Sequence, residues 1–238
     1  MSTEIKVLYE DSNILAIDKP SGILVHPAPE QARCGAGLGK KKTILDIFIK
    51  KYPKLEIVHR LDKDTSGVLL LAKNKKAYEF LKSQFKNREI KKIYHAIVSG
   101  FVKNDRGVIN KPIGRSPKDF RRHLAGRGAR GEMREAITEY KVLKRFTSPQ
   151  PSPYKEEGEK FTYLEIRPKT GRTHQIRVHL KYLNHPIACD SLYNPDNPCP
   201  KDLKRLALHA KSLEFKNPKG EIVKVESAMP KEFTKLLF

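Results

Sequence analysis

A chain of 238 residues with 48 Lys and Arg against 27 Asp and Glu carries a formal charge of +21; so one-signed an excess opposes compaction and selects a polyanionic partner, nucleic acid above all. The length suffices for one large core or two modest lobes, while no apolar run approaches the roughly 20 residues of a membrane helix and no secretory h-region is present. A soluble, cytoplasmic protein is therefore expected, with Cys34, Cys189 and Cys199 as reduced thiols, since they form no CxxC pair and an odd number makes no disulfide framework.

In chain order, aliphatic runs at residues 5–9 and 13–18, broken by Asp11-Ser12-Asn13, predict an opening β-hairpin. Pro29–Lys42, rich in Gly and Lys, lacks periodicity and predicts a mobile surface loop. Its Gly35-x-Gly37-x-Gly39-Lys40 pattern fails as a phosphate loop, because Cys34 and Lys41 stand where that loop needs Gly and Ser or Thr. Thr43 is placed to cap a helix carrying Ile44, Leu45, Phe48 and Tyr52, stopped by Pro53. Next comes His59-Arg60-Leu61-Asp62-Lys63-Asp64-Thr65-Ser66-Gly67, running into a strand over Val68–Ala72. On residue types alone this stretch reads two ways. It is either a reactive carboxylate held ionised by a neighbouring Arg or His⁺ at the end of a rigid strand, or a polar turn in which Asp64 and Ser66 satisfy backbone amides.

Asn74 caps a second helix, with Ala77, Phe80, Leu81 and Phe85 on one face. Strands are predicted over Ile93–Val98, Glu135–Leu143, Phe161–Arg167, Leu206–Phe215 and Glu221–Val225. Few helical crossovers separate them, so an α+β protein with a mixed, mostly antiparallel sheet is expected. Between Lys111 and Arg134 lie eight basic residues against Asp119 and Glu132. With Gly126, Gly128 and Gly131 among them, residues 115–133 predict a mobile basic loop that orders on RNA through Arg121, Arg122 and their neighbours. Thr147–Lys160, with Pro149, Pro151, Pro153 and an acidic run, predicts a third mobile loop. A zinc site from His185, Cys189 and Cys199 fits no standard spacing, so no metal is expected.

His59-Arg60-Leu61-Asp62-x-x-Thr65-Ser66-Gly67 resembles the catalytic motif of the RluA-type pseudouridine synthases. Ile17-Asp18-Lys19-Pro20-Ser21-Gly22-Ile23-Leu24-Val25-His26 is similar to that family's first motif, with Asp18 where Asn is common. Lys92-Ile93-Tyr94-His95-Ala96 is similar to the motif bearing its active-site tyrosine. Arg167-Pro168-Lys169-Thr170-Gly171-Arg172-Thr173-His174-Gln175-Ile176-Arg177 resembles its last catalytic motif, and Arg205–Ala210 its closing strand.

The resemblance implies the pseudouridine synthase fold: a long bent sheet flanked by helices, with a central active-site cleft between two lobes of a single catalytic domain, 1–238. No S4 RNA-binding domain is expected, because the first motif begins within about twenty residues. It implies an isomerase that converts uridine to pseudouridine in stem-loops of ribosomal or transfer RNA, working as a monomer without metal, nucleotide or other cofactor. Asp62 would be the catalytic carboxylate, Arg177 its cationic partner on a helix capped by Thr173, and Tyr94 the ring that meets the uracil. Arg60 would fill the RNA stack where the base is extruded, with His59, Thr65, Arg172 and Ile176 lining the substrate. The alternative is a non-catalytic RNA-binding or ribosome-assembly protein on the same scaffold.

Overall fold

The computed structural model describes residues 5–27, 42–126, 128–152, 155–197, 199–200 and 203–237. The loop predicted over Pro29–Lys42 lies outside these residues except for Lys42, as do Cys34 and Arg127. Two compact units divide the chain, one of residues 1–91 with 210–228 and the other of 92–209 with 229–238. Strand pairs and a few helices make up both, so the architecture is α+β.

The first unit opens with β1 (Val7–Glu10) and β2 (Ile14–Lys19), paired antiparallel as predicted. Asp11 closes the hairpin by accepting the amides of Asn13 and Ile14 at 2.7 and 2.6 Å, which is why an Asp suits that turn. Thr43 and Asp46 form a capping box at the start of α1 (Ile44–Phe48), which ends a turn earlier than Pro53 would require. After β3 (Glu56–Ile57) comes β4 (Ser66–Ala72), every residue of which is buried. It runs antiparallel to β2 from Lys19↔Gly67 to Ile14↔Ala72. Asn74 caps α2 (Lys75–Lys86) by accepting the Ala77 amide at 2.9 Å. Ala77 and Leu81 of α2 then join Ile14, Ala16, Val68 and Leu70 in the core of this unit.

In the second unit β5 (Lys91–Ser99), β6 (Arg106–Asn110), β10 (Ile137–Ser152) and β11 (Lys155–Pro168) lie in the order β5-β11-β10-β6. The long hairpin of β10 and β11 corrects the loop predicted over 147–160, since their ladder continues to Pro151↔Gly158 and Ser152↔Lys155. Strand β6 covers the other side of β10 only from Ile137 to Lys141. Pro149 and Pro151 therefore fall where the strand is paired on one side, the position in which a missing N–H is tolerated, while Pro153 lies outside the described residues.

The basic loop predicted over 115–133 is corrected too. It holds β7 (Ile113–Arg115), β8 (His123–Ala125) and β9 (Arg130–Arg134), a separate antiparallel sheet ordered β8-β7-β9. Gly126, at φ +74°, follows β8, and Gly131, also at +74°, lies within β9 where its register with β7 shifts, so the left-handed positions serve the sheet rather than loosening it. Helix α3 (Gln175–Tyr182) begins after His174 in the left-handed region, with no side-chain cap, so Thr173 is not the capping residue. The glutamine that starts the helix anchors it instead, as described below. Cys189 and Cys199 are joined as a disulfide, with Cα atoms 5.0 Å apart. This corrects the reading of reduced thiols for Cys189 and Cys199, Cys34 lying outside the described residues; the chain turns between the two at Asp190–Asn194, which their spacing does not reveal.

Strand β12 (Leu208–Lys216) crosses the division between the units, and β13 (Ile222–Glu226) pairs with it in the first. Helix α4 (Lys231–Leu237) returns to the second, where Phe233 and Leu237 pack with Ile97, Phe161, Leu164 and Leu180. Among the described residues no helix is long and apolar enough to cross a membrane.

Candidate active site

The residues singled out from the sequence fall on both units. His59, Arg60, Asp62 and Thr65 belong to the first, and Tyr94, Arg121, Arg122, Arg172, Ile176 and Arg177 to the second.

In the first unit Asp62 sits half-buried on a turn between buried Leu61 and buried Thr65, whose amide donates to the Asp62 carbonyl at 3.2 Å. Lys19, at the end of β2 and fully buried, fastens this turn from below. Its Nζ donates to the carbonyls of Pro20, Lys63 and Thr65 at 2.9, 2.9 and 2.8 Å. An ammonium has three N–H groups, and a buried one is tolerable only when they are satisfied. Two further bonds complete the clamp: Gly22 N to Lys63 O at 2.9 Å and Ser21 Oγ to Asp64 O at 2.7 Å. The Lys-Pro-Ser-Gly segment thus grips the carbonyls of the residues around Asp62.

Gly67 sets where the turn may enter the strand. At φ +107°, it would place a Cβ 2.2 Å from the Ala210 carbonyl oxygen, so only glycine fits. His59 accepts the Leu70 amide on Nε2 at 2.9 Å and stacks on Phe85 at 4.7 Å. Its ring therefore braces β4. Arg60 is exposed, and the buried Thr65 Oγ1 has no hydrogen-bond partner among the described residues.

In the second unit Tyr94 is half-buried on β5 opposite Ile166 of β11. Helix α3 is held to β10 by a polar network around Gln175. Its Oε1 accepts Thr170 Oγ1 and the Arg172 amide at 2.7 and 2.9 Å, and its Nε2 donates to Ile137 O and Thr138 Oγ1, both at 3.0 Å. One turn on, His179 donates from Nε2 to the Lys111 carbonyl at 3.0 Å, so its Nδ1 accepts from Thr138 Oγ1 at 2.9 Å. Burial pushes this imidazole below the usual histidine range.

Arg177 projects from the helix so anchored. Its Nε and Nη2 donate to Asp190 Oδ2 and Oδ1 at 2.7 and 2.8 Å, in a pair whose side chains are only 9% and 0% exposed. Asp190 Oδ1 also accepts the amides of Leu192 and Tyr193, each at 3.0 Å. The Tyr193 ring lies 5.0 Å from the guanidinium carbon, and its hydroxyl accepts the His123 amide of β8 at 2.9 Å. The planar fork is thus held by one edge and one face. Arg172 Nε donates to the Glu135 carbonyl at 2.9 Å, and Ile176, 7% exposed, belongs to the core.

Sequence reading gave Lys19, Asp190 and Tyr193 no role. Asp190 leaves one trace, being the sole acidic residue between Arg177 and Tyr193. Lys19 stands in the first motif quoted above, but nothing there names its partners, because they are carbonyls, which every residue has.

The family model described as RNA pseudouridylate synthase matches residues 13–182. The chain is 37% identical over 236 residues to the uncharacterized RNA pseudouridine synthase YlyB of Bacillus subtilis, covering 98% of this chain and 72% of that one. It is 36% identical to ribosomal large subunit pseudouridine synthase D of Xanthomonas campestris pv. campestris, covering 98% and 68%. Among solved structures, human RNA pseudouridylate synthase domain containing 1 superposes with a TM-score of 0.76 at 25% identity, covering 95% and 84%. The corresponding domain containing 4 gives 0.73 at 27%, covering 97% and 91%.

Proposed function

This chain belongs to the RNA pseudouridylate synthase family, isomerases that act on RNA, and from that premise we propose that Asp62 is its catalytic carboxylate. Arg177 is the catalytic cation, and Tyr94 the ring against the uracil. The observation that carries this reading is the clamp by Lys19, which fixes the backbone around Asp62 through the carbonyls of Lys63 and Thr65 while the aspartate itself stays half-buried. A buried, pre-oriented Arg177 beside its own carboxylate supports the second assignment.

In the reaction the N1–C1′ bond breaks, the base turns, and C5 bonds to C1′; C5 loses a proton and N1 gains one. The balance is internal, so no redox partner or group donor is needed. Water must be kept from C1′ while the base is detached. Arg60, exposed beside the turn, suits stacking in the place of the extruded base, and Thr65 Oγ1 suits a contact with the substrate. Arg172, Arg121 and Arg122 contribute positive charge toward phosphates.

Relatives named for the large ribosomal subunit support ribosomal RNA as the substrate, with transfer RNA as the other structured candidate. A stem-loop target is proposed because flipping costs least where the base is already unpaired. The enzyme is proposed to act as a cytoplasmic monomer.

The test is tritium release from RNA labelled at uridine C5. Asp62→Asn is expected to abolish release while RNA affinity stays near wild type. Release at the wild-type rate from that variant rejects Asp62 as the catalytic group.

A further inference from the structure

We propose that Phe120 is a stacking platform for an unpaired base of the substrate RNA, held out by the turn that joins β7 to β8. This rests on the reading of the chain as an RNA-directed synthase and adds an interaction to it. The Phe120 side chain is 75% exposed, more than any other large hydrophobic residue among those described. Leaving such a ring in water forgoes the stabilisation that burial would bring, and its setting is the opposite of a frayed tip.

Ser116 N donates to Arg122 O and Arg122 N to Asp119 O, both at 2.9 Å, closing the turn at its neck and at its end. Ser116 Oγ accepts the amides of Lys118 and Asp119 at 3.3 Å. Asp119 accepts the Arg121 amide and grips the Arg121 side chain at 3.0 and 2.9 Å, with Arg122 Nε at 3.5 Å from the same carboxylate. These bonds pull the Asp119 carboxyl down to about 2, so the clamp stays charged. The turn is thus braced by its own polar groups, and the side chain it holds at its tip is an apolar ring.

Charge selects the occupant. Arg115, Lys118 and Arg121 are exposed on the same turn and the strand leading into it, and Arg130 and Arg134 are exposed on the neighbouring β9. A ring among cations suits a nucleobase attached to phosphates, because stacking is indifferent to base identity and the cations meet the backbone. The sheet that carries the turn is tied to Tyr193, the residue against the Arg177 guanidinium, through the His123 amide. A base seated on Phe120 is therefore registered to the arginine by a short path of direct bonds.

The chain contains no tryptophan, so Phe120→Trp places a single tryptophan, excited apart from the tyrosines, at the proposed stacking position. A transcript of large-subunit ribosomal RNA that supports tritium release by the wild type is the probe. Saturating this variant with the transcript is expected to quench its emission. Phe120→Ala is expected to weaken binding on the order of 5- to 150-fold, with the slope of log affinity against log salt unchanged because no charge is removed. Phe120→Leu, apolar without a π-face, is expected to remain weak. Unquenched emission at saturation overturns the proposal, and so does wild-type affinity in the alanine variant. A change in emission that follows protein concentration without RNA assigns the ring to an interface between copies and overturns it as well. A wild type that releases no tritium from any RNA sinks the synthase reading instead, so the two failures are distinct.

Discussion

Replacing Asp190 by Asn tests whether the orientation of Arg177 is built into the second unit. The carboxylate takes two charge-assisted hydrogen bonds from the guanidinium at 2.7 and 2.8 Å and is fully buried. An amide there keeps the shape but loses the charge and turns an NH₂ group toward one of the two donors. Removing one member of a buried pair costs about 3–5 kcal/mol, because the remaining charge is stranded. For a protein of this size that corresponds to a fall in Tm of roughly 6–20 °C. The guanidinium would then shift to recover solvation, and a displacement of about 1 Å at a reacting group is enough to cost on the order of 100-fold in rate. The expectation for Asp190→Asn is therefore a lower Tm together with a kcat for tritium release lowered by about two orders of magnitude and little change in KM. The double replacement Arg177→Met with Asp190→Leu separates the effects, since an apolar pair restores stability without a charge. It should melt near the wild type and remain inactive. An active double variant, or an Asp190→Asn protein with wild-type kcat, refutes the assignment.

Lys19→Met strands the carbonyls of Pro20 and Thr65, at about 1–3 kcal/mol each; urea unfolding should show the loss, and an unchanged midpoint would mean that the clamp contributes nothing. His179 gives stability a pH dependence. It is held neutral with its folded pKa lowered by burial, whereas the unfolded chain protonates it at ~6.5. Below about 6.5 the unfolded state binds more protons, so stability declines until the folded value is passed. The urea midpoint should fall between about pH 7.5 and about pH 5 by more in the wild type than in His179→Gln, and equal falls would exclude this group. Replacing Arg121 and Arg122 by Gln should flatten the salt dependence of RNA binding, by a slope of about 0.7–0.9 for each phosphate that is no longer neutralised. An unchanged slope would place these arginines away from phosphate.

What the sequence made legible was decided locally. The caps at Thr43 and Asn74 and the hairpin closed by Asp11 are bonds between residues three apart or fewer, so the residue types that form them stand together in the chain. The ordered motifs single out Asp62, Tyr94 and Arg177 for the same reason, each motif being a short run of neighbouring residues. The misread segments were those whose order comes from elsewhere. Residues 147–152 and 155–160 show no apolar alternation, since this part of the hairpin runs on beyond the strands that flank it, and their prolines and acids read as loop. Strand β9 is exposed along its whole length, and its sheet owes its place to Ile113, which packs with Ala136, Val178 and Tyr193 far along the chain. The same distance hid Asp190 and the partners of Lys19. A lysine that binds carbonyls 44 and 46 residues away leaves no pattern in either partner, and an aspartate that serves an arginine 13 residues earlier looks like any turn acid. The motifs therefore name the groups proposed for chemistry, while what the anchoring residues bind is recovered only from the hydrogen bonds and buried charge of the structure. Substitutions outside the motifs, at Asp190 and Tyr193, should accordingly cost activity as heavily as many within them.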